Sequence, residues 1–288
     1  MQEKISTKRK IKCAALNVFM YLAAGIICFI LLGIIGFILY KGLPHISLEF
    51  LTNKPSLIRE TEGIFPNILN TIYIILITLI IVLPLGIGAA IYLNEYAKNK
   101  KIVRLIELAT ETLSGIPSII YGLVGMLIFV QFFALGTSLL AGSLTLVIMT
   151  LPTIIRTTQE SLKTVSNGYR EGSLALGAGK WYMIRTVVLP SSIDGIITGC
   201  ILSIGRIVGE SAALLFTAGM ANEILSIADA IKPGNAGSTL TVALYMYAKE
   251  RGEFEIAFAI AAILLVLTFV INMSAKLTAS CFKKKGVK

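Results

Sequence analysis

The chain has 288 residues, 56% of them hydrophobic and only 15% charged, with a net charge of +10. Its basic residues follow the alternation of apolar runs and short loops, as the positive-inside rule requires, so the positive charge reads as membrane topology and not as a nucleic-acid footprint. The cysteines fall at positions 13, 28, 200 and 281 with no C-x-x-C spacing, and no Walker A, G-x-S-x-G or H-E-x-x-H pattern occurs. Disulfide frameworks, zinc sites and familiar catalytic machinery are therefore not indicated, and no cofactor is expected.

In chain order, the first element is Ala14 to Tyr40, which carries no charge over 27 positions. About 20 apolar residues cross the roughly 30 Å hydrocarbon core of a bilayer, so this is one transmembrane helix, 14–40, behind a cytoplasmic tail, 1–13. It is too long for a signal-peptide core and no A-x-A site follows it. Residues 41–63 form an extracytoplasmic loop, in which His45 beside Pro44 is a turn residue.

The span Asn67 to Leu93 is again uncharged over 27 positions. Thr112 to Ile155 is uncharged over 44, about 66 Å if helical and so about two bilayer crossings. It must fold back, and Ala134 to Ser143, with Gly136, Thr137, Ser138, Gly142 and Ser143, is the place. Gly115, Gly122 and Gly125 serve close helix packing in the third span. A fifth span runs from Pro190 to about Ala221, interrupted by charges, and a sixth from Ile256 to Ala275 within a region, 64–275, holding five of the six helices. A basic cytoplasmic tail, 276–288, closes the chain.

The fold class is thus an all-α polytopic membrane protein with six transmembrane helices. Lys and Arg number 19 in the N-terminal tail, the 94–104 loop, the 156–190 segment and the C-terminal tail, against 6 in the alternate loops. Both termini and the 156–190 segment are placed in the cytoplasm.

That segment contains Y-R-E-G-S-L-A-L-G-A-G-K-W-Y-M-I-R-T-V-V-L-P, residues 169–190. Ser166, Asn167 and Gly168 offer a capped start to a short helix over 169–178, with Glu171 in its first turn, where a carboxylate suits the helix dipole. Glu171, Leu174, Ala175 and Ala178 then share one narrow face. Gly177 and Gly179 permit a turn, Trp181 and Tyr182 suit the headgroup zone, and Pro190 starts the next span. On the residues alone, a solvated connector remains an equal alternative.

Charges inside the spans are costly, and so point to function. Arg206 and Glu210 are four apart, hence on one face of the fifth span. Arg156 lies four residues after Pro152, which can bend the fourth span. Guanidinium forks match oxyanions such as phosphate bidentately. The bland alternative is a buried ion pair at Arg206 and Glu210, with Arg156 as a positive-inside residue.

The loop resembles the EAA loop of binding-protein-dependent ABC importer permeases, E-A-A, three residues, G, nine residues, I-x-L-P. Glu171, Gly172, Ser173, Gly177, Val187, Leu189 and Pro190 stand at that spacing, with Gly172, Ser173 and Val187 departing from it in residue type. The runs I-Y-L-N-E-Y-A at 91–97, G-I-P-S-I-I-Y-G-L-V-G at 115–125, L-P-T-I-I-R-T-T-Q-E-S-L at 151–162 and G-R-I-V-G-E-S-A-A-L-L-F-T-A-G at 205–219 are similar to the phosphate-specific branch, the PstA type over its PstC-type paralogue. The likeness runs from about Gly63 to Asn272.

The resemblance implies the type I importer permease fold and a non-catalytic subunit forming half of a pore for inorganic phosphate. Its loop 166–190 would be the coupling element toward a separate ATPase, through Glu171, Gly172, Ser173, Gly177, Leu189 and Pro190. Arg156, Arg206 and Glu210 would lie on or beside the substrate path. The implied partners are a second, PstC-like permease, two PstB-like ATP-binding subunits, a PstS-like extracytoplasmic phosphate-binding protein and the lipid bilayer. The alternatives are the PstC-type permease or a permease for another oxyanion. An ion-coupled carrier would show paired broken half-helices, and none is seen. An intramembrane enzyme would want clustered His, Asp or Glu, where only Asp194 and Glu210 offer themselves.

Overall fold

Breaking a run of apolar residues requires somewhere for the backbone polar groups to go, and in this chain glycine, proline and capping side chains set the main breaks among the described residues. The structure, a computed structural model, describes residues 7–55 and 62–286, with side chains for 15–55 and 62–277. The first six residues of the expected N-terminal tail, Arg59 of the outer loop and the last two residues of the basic tail lie outside it. The described chain is helical, without strands.

The order is α1 (Thr7–Gly42), α2 (Leu48–Thr52), α3 (Phe65–Ile91), α4 (Lys100–Ser114), α5 (Ser118–Gly125), α6 (Leu139–Thr164), α7 (Asn167–Ala175), α8 (Lys180–Met183), α9 (Leu189–Val208), α10 (Ala212–Thr217), α11 (Ile227–Ala230), α12 (Leu240–Tyr245) and α13 (Phe254–Gly286). Widened i→i+5 turns extend several of them: Tyr92–Tyr96 after α3, Met126–Phe132 after α5, Ile184–Val188 between α8 and α9, and Met246–Arg251 after α12. Such turns are uncommon and concentrate at functional places.

Five helices are long and apolar enough to cross a bilayer, within Ala15–His45, Phe65–Tyr96, Leu139–Thr164, Lys180–Val208 and Phe254–Leu277. A sixth crossing comes only from the pair Lys100–Ser114 and Ser118–Phe132, which meet at a 100° bend. This corrects the sequence reading twice. The 94–104 loop gives way to helix at Lys100, capped by the Asn99 side chain accepting the Lys101 N–H. The third span starts at Ser118 and not at Thr112, because Gly115-Ile116-Pro117 interrupts the helix where proline cannot continue it.

The fold-back falls at Phe133–Ser138, one residue ahead of the expected stretch and over its N-terminal half. Ala134 and Gly136 take positive φ values of 52° and 61°, and the Ser138 hydroxyl caps α6 by accepting the Ala141 N–H. The fifth span also ends earlier than Ala221: α9 stops at Val208, and α10 is a separate short helix beyond a break at Gly209-Glu210-Ser211. α13 continues as helix through most of the expected C-terminal tail.

The core is centred on α6, whose most apolar stretch is 67% buried, against 39% for α3 and 28% for both Lys180–Val208 and α13. Lipid supplies no hydrophobic drive for helices to associate, so close approach through small residues and van der Waals contact holds them. Gly86 of α3 lies against Ile154, while Gly195 and Gly199 of α9 lie against Ser161 and Thr157. Gly122 and Gly125 of α5 abut Ala213 and Thr145, as the packing reading of these glycines expects, whereas Gly115 belongs to the break before α5. α1 touches the bundle mainly at its C-terminal end, where Gly42 meets the Phe258 carbonyl and Phe37 stacks edge-to-face on Phe258 at 5.6 Å.

Two glycines two residues apart in α3, on different faces of the helix, test this packing. A methyl at Gly86 would sit 2.9 Å from Ile154 Cβ, whereas one at Gly88 would meet nothing within 4 Å. Gly86→Ala should destabilise the purified protein by about 1–3 kcal/mol, and Gly88→Ala should stabilise it by about 0.5–1 kcal/mol. Thermal unfolding in detergent reads both, and equal midpoints would contradict the packing.

Candidate functional site

The segment after α6 is built from its caps. Ser166 precedes α7 and its hydroxyl accepts the Gly168 N–H at 3.3 Å. At the other end the Gly177 N–H donates to the Leu174 carbonyl at 3.0 Å and the Ala178 N–H to the Ser173 carbonyl at 3.2 Å. This is a Schellman termination, and its left-handed residue is Gly177, with φ +84°.

The helix therefore occupies 167–175 in place of the expected 169–178, since it begins directly after the Ser166 cap, two residues earlier than expected, and Gly177 stops it. Glu171 is consequently the fifth residue of α7 and not in its first turn, and Ala178 lies beyond the glycine turn, off the face of Glu171, Leu174 and Ala175. Those three are exposed, as are Gly172 and Gly177, and Ser173 is partly buried. Leu174 is 47% and Leu176 91% exposed, an apolar tip facing away from the bundle. At the far end of the loop Leu189 is partly buried and Pro190 exposed at the start of α9.

Arg156 is exposed on α6, in an acid-rich setting: its Nη1 lies 3.5 Å from Glu111 of α4 and its Nε 3.1 Å from Glu160. Lys163 pairs with Glu107 nearby at 3.3 Å. Together with Thr110 and Gln159 these side chains line a cavity of about 210 Å³ between α4 and α6. The charges of Arg156 are answered by two carboxylates.

Arg206 stands differently. It is partly buried in the last turn of α9, with no ion-pair or hydrogen-bond partner among the described residues, and acts electrostatically on the phenol of Tyr121 in α5. Tyr121 in turn donates to the Leu113 carbonyl at 2.7 Å, across the α4–α5 bend.

Glu210 does not share a helix face with Arg206, because α9 ends at Val208. Glu210 is 8% exposed; its side chain accepts the Ala213 N–H at 3.0 Å, capping α10, while its carbonyl accepts the Thr241 hydroxyl at 2.8 Å. The break is thus satisfied from within the protein, as a bilayer demands. The two arginines are not brought together: the antiparallel contacts of Gly195 with Ser161 and Gly199 with Thr157 carry on to place Arg206 level with Thr150, about 9 Å along α6 from Arg156.

Residues 82–280 match the family described as Binding-protein-dependent transport system inner membrane component. The chain belongs to this family. The permease is 37% identical over 276 residues to the probable ABC transporter permease protein YqgI of Bacillus subtilis, covering 92% of this chain and 94% of that one. It is 31% identical over 271 residues to the phosphate transport system permease protein PstA of Pasteurella multocida, covering 93% and 95%. In fold it is similar to a chain of a bacterial alginate ABC transporter solved with an alginate pentasaccharide-bound periplasmic protein, with a TM-score of 0.68 at 15% identity over 96% of this chain and 98% of that one. It is accordingly a multi-pass, non-catalytic membrane subunit of a transporter of this family.

The structure of the permease adds residues that the sequence reading left out. Arg170 of α7 is only 15% exposed, and its Nη2 lies 3.0 Å from Glu95 in the widened turn Tyr92–Tyr96. The same guanidinium donates to the Leu162 and Val165 carbonyls at 2.8 and 2.6 Å, the open end of α6. Lys180 lies 4.9 Å over the Tyr96 ring. Beneath them Ala90, Ile91, Leu162, Val165, Met183, Ile184 and Val188 form one apolar cluster. The signal was present in I-Y-L-N-E-Y-A, whose Glu95 at the end of an apolar run needed a cation nearby.

The capping role of Glu210 predicts that Glu210→Gln keeps most of the thermal stability, since the amide oxygen still accepts the Ala213 N–H, whereas Glu210→Ala costs about 1 kcal/mol. An ion pair with Arg206 would instead make the Gln variant as damaging as the Ala one. Thermal unfolding of the two purified variants distinguishes them.

Proposed function

We propose that the chain is the permease subunit of an ATP-driven importer of inorganic phosphate, oriented with both termini and loop 166–190 in the cytoplasm and residues 41–63 outside. The observation that carries the anion reading is Arg206, a partly buried guanidinium in a membrane span with no carboxylate answering it among the described residues. A cation kept without a counter-ion at such a place is costly unless an anion visits it. The kinship with PstA-named permeases supports phosphate as that anion, against another oxyanion or the PstC-type paralogue.

In this reading the permease is half of a pore and works with a PstC-like second permease, two PstB-like ATPase subunits and a PstS-like phosphate-binding protein. α7 is the docking helix, presenting Glu171, Gly172 and Ser173 with the Leu174 and Leu176 tip, and Gly177 lets the chain leave it sharply. Leu189 and Pro190 start the span that carries the movement inward. ATP binding closes the ATPase pair, shifts α7 and turns the pathway outward. Arg206 is the principal charge on the path; Arg156, already paired with Glu111 and Glu160, serves as a guide near the cytoplasmic mouth, and Glu210 shapes the break beside Arg206.

Arg206→Gln should lower phosphate uptake by reconstituted vesicles at least about tenfold with assembly unchanged, and Arg206→Lys should keep more of it. Uptake at the unsubstituted rate in Arg206→Gln would contradict the path. Gly177→Val, with a β-branched residue forced to φ +84° at a strain of about 1–2 kcal/mol, should lose co-purifying ATPase while remaining in the membrane. Gly177→Asn, which tolerates that conformation, should retain it.

A further inference from the structure

Force delivered to α7 has to reach the spans, yet α7 has no buried residue with which to grip them. Its side-chain connection runs through Arg170. That guanidinium spans three elements at once: Nε and Nη2 reach Glu95 Oε1 at 3.2 and 3.0 Å, Nη2 and Nη1 reach the Leu162 and Val165 carbonyls, and Nη1 reaches Asn167 Oδ1 at 3.2 Å. The Glu95 side chain is 7% exposed and also accepts from Asn94 Nδ2 at 2.8 Å, so its carboxylate is fixed from two sides.

Glu95 sits in a turn that departs from α-helical winding, with the Ala97 N–H donating to the Tyr92 carbonyl at 2.9 Å. The widening turns Glu95 under α7 and Tyr96 under Lys180. Both ends of the 167–180 segment therefore rest on the same five residues at the end of α3. α3 and α6 are also the helices that pack most extensively in the bundle, along Val82, Val147 and Ile154.

We propose that Arg170 and Glu95 form a strut that transmits movement of α7 to α3 and α6, making Arg170 a positioning residue for coupling and the Tyr92–Tyr96 turn its seat. The proposal rests on the reading of α7 as the ATPase-docking helix and adds how the docked helix drives the spans. A planar fork is required, because one point charge cannot hold the Glu95 carboxylate and two separate carbonyls together. Docking itself belongs to the exposed side of α7, so ATPase binding and transmission are separable.

The test uses the full transporter, with its partner permease, ATPase subunits and binding protein, in vesicles where inorganic phosphate uptake and ATP hydrolysis are read together. Arg170→Gln and Glu95→Gln should each keep the ATPase bound and hydrolysing, while phosphate carried per ATP falls about tenfold, a usual size for a coupling between sites. The double variant should be no worse than Arg170→Gln alone, since loss of the guanidinium already removes the link to Glu95. Arg170→Lys should recover only part of the ratio. If Arg170→Gln is not recovered from the membrane, Glu95→Gln carries the test, because it leaves the contacts of Arg170 to α6 in place.

Unchanged phosphate per ATP in the variants overturns the strut alone. Loss of the bound ATPase also overturns it, by making the pair a docking contact. An unsubstituted complex that hydrolyses ATP without taking up phosphate overturns the phosphate reading and the strut with it.

Discussion

Inside a bilayer no water is present to satisfy backbone N–H and C=O groups, so every departure from helix must be paid for by the protein itself. The breaks in this chain obey that constraint. Glu210 and Thr241 satisfy the gap between α9 and α10, Ser138 closes the turn into α6, and the end of α6 is met by Arg170. α6 is the helix around which these solutions gather, because it is the most buried span and meets α3, α4, α5, α9 and α10. Small residues at its crossings, Gly86, Gly195 and Gly199, allow the approach that lipid does not drive.

The placement of charge follows from the same packing. Where α4 bends away from α5, the side of α6 that faces it carries Arg156, Glu160 and Lys163, matched by Glu107 and Glu111. Where α3 ends against α7, Glu95 is matched by Arg170. Arg206 differs from Arg156 and Arg170, lying deeper along the bundle beside Tyr121 and without a carboxylate among the described residues. Of the two partly buried arginines among the described residues, Arg170 joins helices and Arg206 has no carboxylate answering it.

The spans were legible because uncharged runs of 27 residues have few other uses in a folded chain. Their interruptions were less so. Apart from Asp194 and Arg206, Pro190 to Ala221 stays largely apolar through Val208 and resumes at Ala212, so hydropathy passes over the break; the sharper signal was Gly209-Glu210-Ser211, a glycine followed by a carboxylate three residues before the N–H that it caps. α4 was hidden for the opposite reason. Its charges suggested a loop, although Ile102, Leu105, Ile106, Ala109 and Leu113 recur at helical spacing after the capping Asn99. The EAA-like segment was visible as a motif, but its limits depended on whether Ser166 or a later residue capped it. The link from Arg170 to Glu95 joins positions 75 apart and needed the fold to appear.

The central claim is that α7 faces the cytoplasm and is covered there by an ATPase. A single cysteine at Leu176, the most exposed residue of its tip, in a chain with its four natural cysteines replaced by serine, tests it with a membrane-impermeant thiol reagent on oriented vesicles. Labelling from the cytoplasmic side alone, lost when the ATPase subunits are bound, is the predicted result. Labelling from the outer side, or equal labelling with and without bound ATPase, would contradict it.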